Sequence, residues 1–224
     1  MKTEIYLEVG SKRVFAGALE WPGWSRSGRD EASALQALID YGPRYGAAIG
    51  SARLSFHPAR DISDLVVVER LKGDATTDFG APGRIPARDA GPVNEAELRR
   101  LQSLLRASWR LFDLALRHAK GKSLRAGPRG GGRDRQKIMA HVLMADQGYL
   151  SKLGWKAHLT ESAAAEAQLA ECREEILKGL AAAAHGELPA HGPRGGLHWP
   201  ARYFVRRSAW HVLDHAWEIE DRLK

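Results

Sequence analysis

Residues 206–222 read RRSAWHVLDHAWEIEDR, and the reading of this stretch decides the fold. Small and apolar residues recur at Ala209, Val212, Leu213 and Ala216, with acids following at Glu218, Glu220 and Asp221, which is the pattern of an amphipathic helix. On such a helix His211 and His215 lie one above the other, because residues four apart share a face, and both rings can reach a single point beside the helix. This is metal-ligand spacing. Two stacked histidines on an amphipathic helix are also ordinary core or surface residues, so a site needs a third ligand from elsewhere.

Three further helical stretches precede it. NEAELRRLQSLLRASWRLFDLALRHAK places Leu98, Leu101, Leu105, Trp109, Phe112 and Leu116 on one stripe, with Asn94 as N-cap and Glu97 three residues on. DRQKIMAHVLMADQGYLSKLG puts Ile138, His141, Val142, Ala145 and Tyr149 on an inward face, and an alanine-rich helix runs from Thr160 to about Ala184. Glycine, proline and histidine fill the connection from Gly186 to Pro200 before the last helix. Four helices of about twenty residues each predict a four-helix bundle. A bundle brings His141 to His211 and His215, and three imidazoles on facing helices leave coordination positions open. Val212 follows His211, so the glutamate general base of the HExxH peptidase motif is missing. Asp214 and Glu218 are the nearest acids on the same helix and are candidates to orient an imidazole, although Asp214 is turned about 100° from His215. His118, His158, His185, His191 and His198 have no partner at ligand spacing and read as surface residues.

Upstream, the period changes. Ile5, Leu7 and Val9 alternate, as do Val14, Ala16 and Ala18 after a break at Gly10-Ser11, giving two paired strands; WPGW forces a turn at Pro22-Gly23. Asp30 to Ile49 reads as a helix capped near Ser27 or Asp30 and divided at Gly42-Pro43, and LVVVERL, Leu65 to Leu71, reads as a third strand. The expected fold is therefore α+β: a small ββαβ domain over 1–75, a glycine- and proline-rich linker over 76–92, and an all-α four-helix bundle over 93–224.

The composition is that of a soluble globular protein, with 44% hydrophobic and 27% charged residues. No apolar run is long enough to span a bilayer and the N-terminus lacks a signal-peptide core, so no membrane is expected and the location is read as cytoplasmic. Cys172 is the single cysteine, which excludes a disulfide framework and leaves nitrogen and oxygen to hold any metal. The formal charge is +7. Residues 1–90 are balanced, and the stretch from Arg117 to Lys137 carries much of the excess, as a basic loop that attracts a small anionic substrate or nucleic acid or is simply a solvated turn.

KIMAHVLMADQGYL together with RRSAWHVLDHAWEIEDR resembles the DinB family of four-helix-bundle proteins, whose site takes one histidine from the second helix and an HxxxH pair from the fourth; His141, His211 and His215 fall on those positions. The resemblance covers about residues 93–224. It implies a divalent ion, zinc first and nickel or iron as alternatives, a homodimer, and thiol-dependent transferase or isomerase chemistry on a small thiol or anionic substrate. YLEVGSKRVFAGALEWPGWSRSGRDEASALQALIDY is similar to HicB-like domains, which implies oligomerisation and toxin or nucleic-acid partners. The balanced charge of this half argues against phosphate binding. The competing expectation is a non-catalytic module whose HicB-like half contacts a partner protein or nucleic acid.

Overall fold

The structure is a computed structural model that describes residues 2–126 and 132–223. It is mixed α+β. Near the N-terminus a four-stranded sheet has the order β3-β2-β1-β4, formed by β1 (Thr3–Val9), β2 (Val14–Ala18), β3 (Ser25–Gly28) and β4 (Leu65–Lys72). β2 pairs antiparallel with β1 and β3, whereas β4 pairs parallel with β1. The parallel return is made through α1 (Glu31–Asp40) and α2 (Gly42–Ile49), which divide at Tyr41 just before Pro43. Asp30 caps α1 by accepting from the Ser33 backbone N–H at 2.8 Å.

The expected ββαβ order is corrected by one strand. Ser25-Arg26-Ser27-Gly28 has no apolar alternation and forms a short edge strand, so pattern reasoning passes over it. The turn before it needs its glycine. Gly23 has φ +95°, and a Cβ there would meet Leu213 Cδ1 at 3.0 Å and Ala209 Cβ at 3.1 Å.

One face of the sheet packs Ile5, Leu7, Ala16 and Ala18 against Ala34, Leu38 and Tyr45. The opposite face is buried too. Phe15 meets Trp210 edge-on, with ring centroids 6.0 Å apart, and Ala81 joins them. Glu8, fully buried near the end of β1, accepts from Thr77 Oγ1, from Gly83 N at 2.9 Å and from Arg84 N at 3.0 Å. The segment from 76 to 92 thus lies on this face. It includes part of α3 (Ala75–Phe79), a 3-10 turn at Ala87–Ala90, and the buried side chains of Thr77 and Asp89.

The remaining helices are α4 (Glu95–His118), α5 (Arg135–Leu153), α6 (Ala165–Ala184) and α7 (Ala201–Arg222). Asn94 and Asp134 cap α4 and α5 through the Glu97 and Lys137 backbone N–H groups. α6 begins five residues later than the sequence suggests, since Thr160 N is held by Glu171 in the preceding loop, at 2.8 Å. α7 packs on α4 and α5, and α5 on α6, around Leu105, Phe112, Val142, Ile176, Phe204 and Val212. No described helix is long and apolar enough to cross a membrane.

The sheet and these helices meet along α7. Arg206, 3% exposed, donates from Nε and Nη2 to the two Asp89 carboxylate oxygens at 2.8 Å each, from Nη1 to Ala18 O at 2.6 Å and from Nη2 to Leu19 O at 3.0 Å. Leu104, Ala107, Leu213 and Trp217 add apolar contact to the same junction.

One acid is buried among the helices without support. Asp146 is fully buried, and neither carboxylate oxygen has a hydrogen-bond partner among the described residues. Burial pushes its pKa up to about 7 against the weaker pull of Arg173, which pairs instead with Asp113 at 2.9 Å. The folded state then holds a proton that the unfolded chain releases near pH 4, so stability is full below pH 4 and falls as pH rises through 7. Asp146→Asn is expected to match the wild type at low pH and to exceed it by roughly 2–4 kcal/mol at pH 8. Urea titrations at pH 5 and 8 check this; parallel pH slopes for the two proteins would refute it.

Candidate metal centre

His141 comes from the middle of α5, and His211 and His215 from consecutive turns of α7, so two packed helices deliver three rings to one place. One ligand nitrogen from each ring can be chosen so that all three lie within 4.8 Å of one another. His141 Nε2 and His211 Nε2 are 3.2 Å apart. Two imidazole nitrogens on a tetrahedral ion, each 2.0–2.1 Å from it, lie about 3.3 Å apart, so this pair already has ligand spacing. The rings meet edge to face, with centroids 5.0 Å apart for His141 and His211, 4.9 Å for His141 and His215, and 4.6 Å for His211 and His215.

The protonation states suit a cation. Burial holds the His211 imidazole well below the ordinary histidine range, and the charges of His215 and Arg207 push the same way. Burial also lowers His141, reinforced by His215 and Arg133. Both rings are therefore neutral at pH 7 and offer lone pairs, the form a metal requires.

Around the rings the two acids named from the sequence separate. Glu218 stands 2.8 Å from His215 Nδ1 and also accepts from Arg222, which keeps its carboxyl below the usual range. A carboxylate at Nδ1 fixes the proton there and turns Nε2 toward the cluster, the usual outer partner of a metal-ligating histidine. Asp214 touches no imidazole. It pairs with Arg26 of β3 at 2.7 Å, and the Arg26 guanidinium stacks on Tyr41 and Trp217 at 3.7 and 4.3 Å from the ring centroids. His211 Nδ1 is buried with no hydrogen-bond partner among the described residues.

Two neighbours escaped the sequence reading of this site. Tyr149, taken as core, presents its ring to His211 at 5.6 Å, and Arg207 lies one turn before His211, stacked over Tyr149 and Trp210 at 5.2 and 4.8 Å. The signal was present: Tyr203, Arg207, His211 and His215 continue one four-residue stripe. A cavity of about 340 Å³ opens beside them, walled by Ala145, Tyr149 and Lys152 of α5, Tyr203 and Arg207 of α7, and Trp199 just before α7. Thr76 and Gly83 close it from the sheet side.

Of the basic loop between α4 and α5, Arg129 lies outside the described residues. Arg125 and Arg135 are spent on chain contacts, Arg125 Nη2 donating to Asp221 O at 2.5 Å and Arg135 Nε to Leu116 O at 2.9 Å. No protein-family model, curated protein or solved structure matches the chain.

Proposed function

We propose that the protein holds one divalent metal ion on His141, His211 and His215 and acts through an open coordination position on a small thiol or anionic substrate, as a transferase or isomerase. The observation that carries this is the convergence of three imidazoles, two of them kept neutral by burial, from two helices. All-nitrogen donors suit zinc, and accept nickel or iron. Such an ion supplies acidification of a bound water or thiol, which makes a nucleophile at neutral pH. The chain's own part is to aim the rings, with Glu218 holding His215, and to keep one side clear for the substrate. The four long helices are read as a four-helix bundle over 93–224 with the smaller unit over 1–75 docked on it.

Elemental analysis of protein purified without a histidine tag is expected to find close to one equivalent of zinc, nickel or iron; substoichiometric traces that do not rise on adding Zn²⁺ would end the proposal. Glu218→Gln is expected to weaken Zn²⁺ binding by about 10–100-fold, the usual cost of an outer-shell partner, while Asp214→Asn leaves it unchanged. Competition against a chromophoric chelator measures both. Equal losses in the two variants would remove the orienting role from Glu218.

A further inference from the structure

The cavity beside the histidines contains an unused cation. Arg207 pairs with no carboxylate among the described residues, and its Nη1 is buried with no hydrogen-bond partner. Its guanidinium is held between the faces of Tyr149 and Trp210 rather than by an acid. Three other half-buried arginines each hold a carboxylate: Arg26 on Asp214, Arg173 on Asp113, and Arg202 on Glu97. A half-buried guanidinium with no anion of its own is available to one, and its planar fork matches a carboxylate.

The walls add a second property. Tyr149, Trp199 and Tyr203 line the cavity, Trp199 meeting Tyr149 at 5.4 Å and Tyr203 at 4.9 Å between ring centroids. Lys152, exposed, stands at the rim. At about 340 Å³ the space is at the small end of ligand-sized cavities. Arg207 lies one turn from His211, about 6 Å along α7, and Tyr149 lines the cavity while touching the His211 ring.

We infer that this cavity is the seat of a small ring-bearing or otherwise apolar carboxylate, with Arg207 binding the carboxylate, Lys152 adding charge at the mouth and the three aromatic rings enclosing the body. The inference rests on the metal proposal for what the ligand faces: Arg207 stands between Tyr203 and His211 along α7, so a molecule lying among Tyr149, Trp199 and Tyr203 has its carboxylate as the end nearer the histidine cluster. It names the substrate class of that centre. Thr76 and Gly83 make the segment that lies on the sheet part of the binding wall.

The test uses the full chain freed of metal by a chelator, titrated with benzoate and with its neutral isostere benzamide while tryptophan fluorescence is followed. Benzoate is expected to bind saturably and at least tenfold more tightly than benzamide, with an affinity that falls as salt rises. Arg207→Gln is expected to abolish the preference, and Lys152→Gln to reduce it by a few fold. The wild-type comparison needs no variant, so misfolding of Arg207→Gln does not spoil the test. Equal binding of the two probes, absence of saturation, or a preference that survives in folded Arg207→Gln overturns the assignment. Because the titration is done without metal, a benzoate preference in a protein that takes up no ion leaves the seat standing and ends the metal proposal; stoichiometric metal with no preference does the reverse.

Discussion

His211→Ala is expected to lower Zn²⁺ affinity by more than about a hundredfold, beyond the usual loss of an outer partner, because it removes one of three ligands outright. The fold should survive. α7 is seated by Phe204, Val205, Ala209, Val212, Ala216 and Ile219, all buried in the helical core, and none depends on the ion. In the wild type, Zn²⁺ at about a thousand times its Kd stabilises by about 4 kcal/mol through mass action, worth roughly 8–16 °C in Tm for a chain of this size. The variant should show no such shift. Acid should have the opposite effect on the wild type. His211 and His141 are depressed in the folded state, so below about pH 6.5 the unfolded chain binds more protons, and stability and metal are lost together as pH falls. Calorimetry of both proteins with and without Zn²⁺ checks these outcomes; an undiminished zinc shift in His211→Ala would mean that these histidines only pack.

Arg206→Met is the second large expected effect. It leaves Asp89, 1% exposed, without its bidentate partner and strips Ala18 O and Leu19 O of a donor. Removing one member of a buried pair costs about 3–5 kcal/mol, which is roughly 6–20 °C in Tm here. The double variant Arg206→Met with Asp89→Leu should recover much of the loss, because the uncompensated charge is gone. Denaturant titration of the single and double variants measures this directly, and a single-variant loss below about 1 kcal/mol would show that water already satisfies Asp89.

The histidine centre was legible because its evidence is local: an i, i+4 pair on an amphipathic helix, a third ring on another, and Glu218 three residues beyond His215. What was not legible is mostly long-range. The Arg26–Asp214 and Arg206–Asp89 pairs join residues 188 and 117 apart in sequence, and no period announces them. α5 was harder to orient. Apolar residues surround most of its circumference, so the sequence placed Ala145 and Tyr149 in the core, whereas the structure leaves them half-buried and encloses Met139, Leu143 and Asp146 instead. The same turn of the helix puts Tyr149 against His211 and on the cavity wall. On the sheet, alternation revealed Ile5 and Leu7 but not why Glu8 is buried, since its partners arrive from Thr77, Gly83 and Arg84.

The Arg26–Asp214 pair has a consequence for aim. Side-chain tips ride about 6 Å from a helix axis, so a 10° roll of α7 would carry an imidazole nitrogen about 1 Å. Metal distances tolerate about 0.2 Å. Asp214 sits on the neighbouring face of α7, and Arg26, itself wedged on Tyr41 and Trp217, grips it from β3. That grip adds to the core packing that resists a roll, so the angular phase of His211 and His215 is held from the sheet side as well as from within the helical core.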